Sequence, residues 1–456
     1  MNRIHFIGIG GIGVSALARY YLEKGYEVTG SDLISSEITE DLQGKGAEIF
    51  IGEHKEDNIE KGIGLVVYTS ATSEDNPEVK KAKELNIKTQ SYSQALGELT
   101  KDHFTIAVSG THGKSSTSSM VGLLLIKAGF DPTIIIGTKL KELDNSNCRV
   151  GESNYLVIEA DEWSASFLNY HPNIIVLTNI EEEHLDFYKD LNHILSTYKK
   201  YLENLADDGF LVINKDDENI SKLIKEIDID PSNIKEFSLS SPEAEKIRSA
   251  INLPGEHNVA NGLATFFVAN ILNIEEKVIL DSIADYKGSW RRFDLSDRKV
   301  EEKSFVLIND YAHHPTEIRT MLSASREKFP ERKIRVVFQP HQYQRTFYLF
   351  DDFVRVFSEA PIDELIITDI YDVAGREEKE IKETVSSEKL AKKIKEKSDL
   401  KTNYIPSLEK AADYLKENLE EKEVLIIMGA GTIYKLADYF PLDRKESKKE
   451  NKITDL

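Results

Sequence analysis

Short apolar runs that lead through a glycine-bearing turn into a helical pattern occur three times along this chain. The first run, His5–Gly8, precedes a helical pattern that ends near Glu23. The second run, Phe104–Val108, leads into a helix that ends near Ala128, and the third begins near Phe305. A strand followed by a helix is the repeating unit of parallel sheets. The pattern therefore predicts an α/β protein built on parallel sheets.

Further strands and the domain boundaries follow from the same pattern. The additional strands are predicted at Tyr26–Gly30, Gly64–Tyr68, Tyr155–Glu159, Ile174–Leu177, Ile334–Phe338, Glu364–Asp369 and Val424–Met428. The pattern lapses near residues 98–103 and in the polar stretch Asp294–Ser304, and a chain of 456 residues has the length of about three domains. We therefore predict domains at 1–100, 101–293 and 294–440, followed by a disordered tail at 441–456 that is rich in Lys, Glu and Asn.

Composition and charge exclude several classes of protein. The net charge of -21 argues against general binding of nucleic acid, whose phosphates would be repelled. The single cysteine, Cys148, excludes an intrachain disulfide and a cysteine-rich metal site, and we expect it to be a bystander. No apolar run approaches the roughly 20 residues of a membrane span. We expect no contact with a membrane and no targeting segment. The expected location is cytoplasmic.

A glycine-rich turn follows the first predicted strand. Gly8, Gly10 and Gly13 satisfy the GxGxxG pattern, with Gly11 and Ile12 between them. Such a turn lets a diphosphate approach the amide groups at a helix N-terminus, and Asp32 after the second strand is placed to bind a ribose hydroxyl. From these residues alone the ligand is NAD, FAD or another nucleotide diphosphate, and a purely structural turn stays an alternative.

A second glycine-rich turn indicates a site for nucleoside triphosphate. It follows the strand at Phe104–Val108 and consists of Gly110, Thr111, His112, Gly113, Lys114, Ser115 and Ser116. Its backbone amides would surround the phosphates, while Lys114 neutralises them and Ser115 reaches Mg²⁺. The turn departs from the common GxxxxGK[ST] form because Val108 occupies the position of the first glycine. Two phosphate-binding turns together argue against a simple dehydrogenase.

Acidic residues follow two further strands. Glu159, Asp161 and Glu162 come at the end of one strand, and Glu181-Glu182-Glu183 with His184 follows another. Carboxylate and imidazole groups suit Mg²⁺ or Mn²⁺ when phosphate oxygens complete the ligand shell. A solvated acidic loop is the alternative, and His184 by itself is as compatible with a structural role.

Eight segments, in this order, resemble the Mur ligase family over nearly the whole chain. They read HFIGIGGIGVSALARYYLEKGYEVTGSD, GTHGKSS, EADE, TNIEEEHLD, LPGEHNVANGLA, DYAHHPTE, QPHQYQRT and MGAG. The resemblance implies three domains: a Rossmann-like domain for a UDP-linked substrate, a central P-loop-type ATPase domain with a parallel sheet, and a Rossmann-like C-terminal domain that brings the amino acid. It also implies ATP-dependent ligation of L-alanine to the lactyl carboxylate of UDP-N-acetylmuramate through an acyl phosphate.

The resemblance assigns roles to individual positions. The UDP-linked substrate would be bound by Gly8, Gly10, Gly11, Ile12, Gly13, Ser31, Asp32 and Ser70. ATP would be bound by Gly110, Thr111, His112, Gly113, Lys114, Ser115, Ser116, His257, Asn258, Asn261, Arg292 and Asp310. The metal ligands would be Ser115, Glu159 and His184, and the catalytic residues would be Lys114, His313 and Arg345. The implied cofactors are ATP and Mg²⁺ (or Mn²⁺).

Departures from the family pattern keep alternatives open. Ser115-Ser116 replaces the usual Thr-Thr, and Gln342 stands where the family carries Arg, which removes a fork-shaped cation from the cleft. The run from Tyr371 also differs, and Arg376 is a candidate to restore that charge. The alternatives are a ligase for another amino acid or for a murein peptide, and a non-catalytic nucleotide-binding relative. The expected assembly is a monomer or homodimer.

Overall fold

The computed structural model describes residues 2–69, 71–73, 75–184, 187–372 and 379–443. The chain forms two compact units. One contains residues up to Asn252 together with Glu256–Lys287, and the other contains Leu253–Gly255 together with the residues from Gly288 onward. No helix in the ranges given above has the length and apolar character needed to cross a membrane.

The first sheet belongs to the first unit and is parallel throughout its described strands. Its strands lie in the order β3-β2-β1-β4-β5. They are β1 (Arg3–Ile7), β2 (Glu27–Asp32), β3 (Glu48–Ile51), β4 (Leu65–Tyr68) and β5 (Lys88–Ser91), with helices α1 (Ile12–Glu23), α2 (Glu37–Gly44), α3 (Pro77–Glu84) and α4 (Tyr92–Lys101). The strand order reverses between β1 and β4, and such a switch point opens a crevice at the carboxyl ends of the strands.

The second sheet lies in the same unit and has the order β12-β11-β10-β6-β9-β7-β8. Its described strands are β6 (Phe104–Ser109), β7 (Thr133–Leu140), β8 (Ser146–Arg149), β9 (Tyr155–Glu159), β10 (Ile174–Leu177), β11 (Phe210–Asn214) and β12 (Ile234–Phe237). Its helices are α5 (Lys114–Lys127), α6 (Leu191–Leu202), α7 (Glu218–Ile224), α8 (Pro242–Ala250), α9 (Glu256–Ile271) and α10 (Glu276–Asp285). Only the β7–β8 pair is antiparallel among these described strands.

The third sheet forms the second unit, with the order β13-β14-β18-β15-β16-β17. Its described strands are β13 (Asp294–Val300), β14 (Lys303–Asp310), β15 (Ile334–Phe338), β16 (Glu364–Ile367), β17 (Lys401–Tyr404) and β18 (Val424–Met428). The helices are α11 (Pro315–Lys328), α12 (Tyr343–Tyr348), α13 (Phe350–Ser358), α14 (Lys379–Thr384), α15 (Ser387–Lys397) and α16 (Leu408–Asn418). The three sheets, whose described strands are mainly parallel, confirm the predicted three-domain α/β class.

The polar stretch Asp294–Ser304, in which the sequence pattern predicted no strand, contains one. Residues Asp294–Val300 form β13, which pairs with β14 in antiparallel register along its whole length. The outer side of β13 is covered in turn, because Lys299 N donates to Pro441 O (3.1 Å) and Asp443 N donates to Asp297 O (3.0 Å). A strand near a sheet edge tolerates charged residues, which is why its sequence lacks a strand-like apolar pattern.

Cys148 is buried on β8. Burial raises the pKa of its thiol to about 12. The thiol therefore stays protonated near neutral pH and lacks the thiolate that reacts or binds metal, which agrees with its expected role as a bystander.

A buried group of charges crosses the third sheet. Arg335 on β15, with 1% of its surface exposed, lies in register with Glu364 on β16. Its Nη2 atom is 3.3 Å from Glu364 Oε2 and 3.4 Å from Glu423 Oε2. Burial acts to raise the pKa of Glu364, but hydrogen bonds from Tyr414 and Lys401 and the charge of Arg335 lower it overall. Both carboxylates thus share this guanidinium, and each also has a lysine partner: Lys401 Nζ is 3.1 Å from Glu364 Oε1 and Lys333 Nζ is 2.9 Å from Glu423 Oε1.

Arg335→Met is expected to destabilise the chain by about 1.5–3 kcal/mol, because two buried carboxylates lose their shared cation while each keeps its lysine partner. The measurement is the free energy of unfolding in urea, with the exposed pair partner Arg355→Met as control. Since the folded pKa of Glu364 lies below the ordinary 4.5, its contribution is present above that pH and is lost as the pH falls through the folded value. Equal stability of both variants would contradict the assignment.

Candidate active site

The first glycine turn is fixed by β2. Gly8 adopts φ +75° and its amide, like that of Ile9, donates to Ser31 O at 2.8 and 3.0 Å. The amide of Gly10 donates to Asp32 Oδ2 at 2.8 Å, and a Cβ on Gly10 would lie 2.9 Å from that oxygen. Asp32 thus shapes the turn itself through its carboxylate.

Helix α1 begins at this turn without a side-chain cap. Gly11 is its N-cap, no side chain bonds to it, and no acidic residue occupies the first turn. By contrast, the Ser91 side chain caps α4 by accepting from Gln94 N. The first amides of a helix have no partner within the helix and attract anions. The start of α1, with Ile12 and Gly13, is therefore suited to a diphosphate.

Ser31 belongs to a buried polar cluster next to this turn. Its hydroxyl donates to Glu78 Oε2 at 2.6 Å, and Asn58 Nδ2 donates to Glu78 Oε1 at 2.7 Å. His5 Nε2 lies 3.3 Å from Glu78 Oε2. Although burial acts to raise it, hydrogen bonds from His5, Ser31 and Asn58 lower the pKa of Glu78 to about 2. The Ser31 side chain therefore holds the base of the turn, while Ser70 lies outside the described residues.

The second glycine turn connects β6 to α5 and is fixed by residues after the neighbouring strand β10. Thr111 N donates to Asn179 O at 2.9 Å, and His112 N donates to Asn179 Oδ1 at 2.8 Å. Gly110 has φ +135°, and a Cβ there would lie 2.1 Å from Thr178 Oγ1. The turn consequently has one shape, and only glycine fits at its start.

Helix α5 also begins without a side-chain cap. Gly113, its N-cap, adopts φ +84°, and Ser116 lies in the first helical turn. A Cβ on Gly113 would lie 2.6 Å from Asn261 Oδ1, an atom that also accepts from Thr117 Oγ1 at 3.1 Å. This contact brings α9 against the start of α5. Two further residues that the resemblance assigns to ATP lie in the first turn of the same helix, where Asn258 is buried and His257 is exposed.

Lys114 is paired with Glu162, which the sequence placed among the acidic residues after β9 but did not connect with this lysine. Its Nζ atom donates to Glu162 Oε2 at 2.9 Å and to Gly110 O at 2.6 Å. Burial acts to lower the pKa of Lys114, but the charges of Glu162 and Asp161 raise it well above its usual value. The ammonium group is therefore permanently charged beside the amides of the turn. In the sequence, the position of Glu162 within the EADE segment was the signal that could have pointed to this pairing.

The structure divides the predicted metal ligands between two neighbouring groups. Ser115 Oγ donates to Glu159 Oε2 at 3.1 Å, and Gly137 N donates to Glu159 Oε1 at 2.8 Å. His184, with φ +58°, instead forms a group with Asp161 and Glu162 whose ligand atoms lie within 4.8 Å of one another. Oxygen donors with one imidazole suit a divalent cation such as Mg²⁺ or Mn²⁺. The residues present thus fit a metal.

The predicted residues of the second unit surround the end of β14. The Asp310 carboxylate accepts from Phe293 N (2.7 Å) and Ala312 N (2.8 Å), and burial raises its pKa. Arg292 Nη1 donates to Glu317 Oε1 at 3.4 Å, and its guanidinium lies 5.1 Å from the centre of the Tyr311 ring. Asp310 therefore fixes the backbone here, and Arg292 is held by a carboxylate that sequence reasoning missed.

Two adjacent histidines have different roles in this unit. His314 Nδ1 accepts from Thr316 N at 3.3 Å and caps α11. His313 Nδ1 lies 3.0 Å from Tyr311 O and 3.2 Å from a carboxylate oxygen of Glu317, two groups that only accept, so Nδ1 is the donor in these contacts. The two neighbouring side chains therefore have different surroundings: His314 caps a helix, and His313 bonds to the turn that precedes it.

Arg345 completes a ring of polar and aromatic groups. Its Nη1 atom lies 3.2 Å from His341 Nδ1, and the His341 ring is 5.9 Å from that of His313. His341 also stacks on Tyr371 with an interplanar angle of 8°. The structure therefore brings His313 and Arg345 to one place in this unit. Arg376 and the rest of residues 373–378 lie outside the described residues.

Family comparisons cover most of the chain. Residues 3–104 match the Mur ligase family, catalytic domain; residues 108–269 match the Mur ligase middle domain; and residues 291–431 match the Mur ligase, glutamate ligase domain. The chain belongs to the Mur ligase family.

Individual members of the family are similar to this chain over nearly its whole length. A UDP-N-acetylmuramate--L-alanine ligase of Clostridium tetani is 42% identical, over 96% of this chain and 98% of that protein. The corresponding ligase of Clostridium botulinum strain Hall is 41% identical, over 96% of this chain and 97% of that protein. The crystal structure of UDP-N-acetylmuramate-alanine ligase MurC from Thermotoga maritima is 26% identical, with a TM-score of 0.78 over 99% of this chain and 100% of that one. The predicted resemblance is thereby confirmed.

Lys114→Ala is expected to lower turnover by about 10²–10³-fold, because it removes the cation that stabilises charge at the second glycine turn. The measurement is the steady-state rate of phosphate release. Lys127→Ala is the control, since that lysine lies at the other end of α5 and pairs with Asp285 at the surface. Full activity of Lys114→Ala would show that the turn does not bind the reacting phosphate.

Proposed function

We propose that this protein is an ATP-dependent ligase that joins L-alanine to the lactyl carboxylate of UDP-N-acetylmuramate, a step in peptidoglycan precursor synthesis. The observation that carries the proposal is the pair of uncapped helix starts in one compact unit, α1 after Gly8–Gly13 and α5 after Gly110–Gly113. Each is suited to a phosphate group of a different substrate. The relatives named above carry this activity in their names.

The reaction balances without a protein nucleophile. A lactyl carboxylate oxygen attacks the γ-phosphorus of ATP, the bond to the bridging oxygen breaks, and ADP leaves. The amine of L-alanine then attacks the acyl carbon of the resulting acyl phosphate. Inorganic phosphate leaves with the bonding electron pair, and the new amide nitrogen loses a proton. Catalysis of this kind rests on positioning and on stabilisation of charge.

The residues of the first unit supply that stabilisation. Lys114 and the amides at the start of α5 bind the ATP phosphates, and Asn258 and Asn261 on α9 border the nucleotide together with His257. Ser115 and Glu159 would hold one divalent cation, Mg²⁺ or Mn²⁺, and His184 with Asp161 and Glu162 supplies further ligands. When bound, such a cation neutralises developing charge on the phosphate oxygens.

The remaining assignments concern the other two substrates. The amides of Gly11, Ile12 and Gly13 bind the UDP diphosphate, and the turn that presents them is held by Asp32. In the second unit, His313 accepts the proton of the amine, and Arg345 binds a carboxylate. Arg292 and Asp310 belong to the ATP-binding set. The proposed domains are 1–100 for the UDP-linked substrate, 101–293 for ATP and 294–440 for the amino acid.

Phosphate release from ATP is expected only when both UDP-N-acetylmuramate and L-alanine are present with Mg²⁺. The measurement is a coupled phosphate assay across a panel of L-alanine, glycine, L-serine and a murein tripeptide, with each substrate omitted in turn. Release with another amino acid would retain the ligase and change its specificity. If the tripeptide is the only member of the panel that supports release, peptide ligation replaces the proposal. If no member of the panel supports release, ligation is refuted.

His313→Ala is expected to lower kcat by about 10²-fold or more, because the amine loses its proton acceptor. Binding of ATP, measured by calorimetry, is expected to stay within about twofold, since the acceptor serves only the second step. His314→Asn is the matched control, because asparagine is a good N-cap and preserves the start of α11. If His314→Asn loses as much activity as His313→Ala, the assignment to His313 is wrong.

A further inference from the structure

The hairpin formed by β7 and β8 connects the two glycine turns of the first unit. On β7, the amide of Gly137 donates to the Glu159 carboxylate beside the second turn. On β8, Asn147 contacts the first residues of α1, directly after the first turn. Neither strand carries a residue that the motifs had singled out. The hairpin is therefore the element that links the phosphate-binding turn of one sheet to that of the other.

Asn147 uses both ends of its amide in this contact. Its Nδ2 group donates to Ile12 O and lies 3.5 Å from Ser15 Oγ, and its Oδ1 atom accepts from Arg19 Nη1 at 2.5 Å. Arg19 is held on its other side by Asp41, at 2.9 Å. Asn147 is 1% exposed, so that these bonds are shielded from water. A buried side-chain amide satisfied at both ends has a fixed orientation.

The bond to Ile12 O also constrains the amide of Gly13, in the first turn of α1. The carbonyl of Ile12 and the amide N–H of Gly13 belong to one peptide group, which is planar. A donor that fixes the carbonyl therefore fixes the direction of the Gly13 N–H, on the opposite side of the same plane. A hydrogen bond to the carbonyl also polarises the peptide group and strengthens its N–H as a donor.

We propose that Asn147 is a positioning residue for the UDP-linked substrate: it orients the Gly13 amide toward the diphosphate by bonding the carbonyl of the same peptide group. The inference rests on the proposed function, because it takes the ligand of the first glycine turn to be a UDP-sugar. It adds a residue from the second sheet to a site built on the first sheet. The contact between the β7–β8 hairpin and α1 then contributes to the affinity for the diphosphate.

Asn147→Ala tests this role by calorimetric titration of the full chain with UDP-N-acetylmuramate and, separately, with UDP and with an ATP analogue. Loss of one buried hydrogen bond to the peptide is expected to raise the Kd for UDP-N-acetylmuramate and for UDP by about tenfold. The Kd for the ATP analogue is expected to change by less than about twofold, because the hairpin's bond to Glu159 comes from the Gly137 backbone. In kinetics the same variant is expected to raise KM for the UDP-sugar and leave kcat nearly unchanged.

Two further variants separate positioning from general stability. Asp41→Asn weakens the hold on Arg19 without touching the bond to Ile12 O, and is expected to leave all three Kd values unchanged. Ser15→Ala removes the second side-chain donor to Ile12 O, at 2.9 Å, and is expected to raise the Kd for UDP by a few-fold. This variant tests the same peptide group even if Asn147→Ala does not fold.

The possible outcomes distinguish the inference from the function on which it rests. Unchanged UDP binding in Asn147→Ala and Ser15→Ala overturns the role of Asn147 and leaves the ligase proposal intact. Equal weakening of UDP and ATP-analogue binding overturns it as well, because the loss is then structural. If the unaltered chain binds neither UDP nor UDP-N-acetylmuramate, the proposed function fails together with this inference.

Discussion

The arrangement of the first unit depends on the Glu159 carboxylate, which lies at the end of β9. One of its oxygens accepts from the Ser115 hydroxyl and the other from the Gly137 amide, so a single side chain joins the second glycine turn to β7. This is possible because β9 is the parallel neighbour of β6, and parallel strands deliver their carboxyl ends to the same edge. On the other side of β6, β10 delivers Thr178 and Asn179 to hold the turn itself. The second glycine turn is therefore held from both sides.

The sequence predicted the regular, buried parts of this fold well and the irregular parts less well. The strands Tyr155–Glu159, Ile174–Leu177, Ile334–Phe338 and Val424–Met428 have the predicted bounds, because a strand covered on both faces is a continuous apolar run. β13 was missed since its exposed side carries charges in alternation, which resembles a loop. The glycine turns were recognisable because each needs a backbone conformation or a close approach that glycine alone permits.

Side-chain partners far apart in sequence could not be predicted. Glu162 pairs with Lys114 across 48 positions, and Asn147 bonds Ile12 across 135 positions. No periodic pattern records such pairs, because they depend on how two sheets and a hairpin pack. Glu317, which holds Arg292 and lies beside His313, was missed for a related reason: its carboxylate accepts from a backbone amide of the turn before α11, a contact that the DYAHHPTE segment does not reveal. The candidate site was thus predicted by residue type, and its internal connections came from the structure.

The covering of β13 by residues 441–443 has a consequence for the behaviour of the chain among its own copies. An uncovered strand at the edge of a sheet offers a row of amides and carbonyls to any extended segment, and so promotes association between molecules. Here the amide of Lys299 and the carbonyl of Asp297 are already used by Pro441 and Asp443, and Arg298 donates to Phe440 O. The polar residues that hide this strand from sequence analysis also make it a poor template for aggregation. Shortening the chain to Phe440 would unmask that edge while leaving both glycine turns untouched.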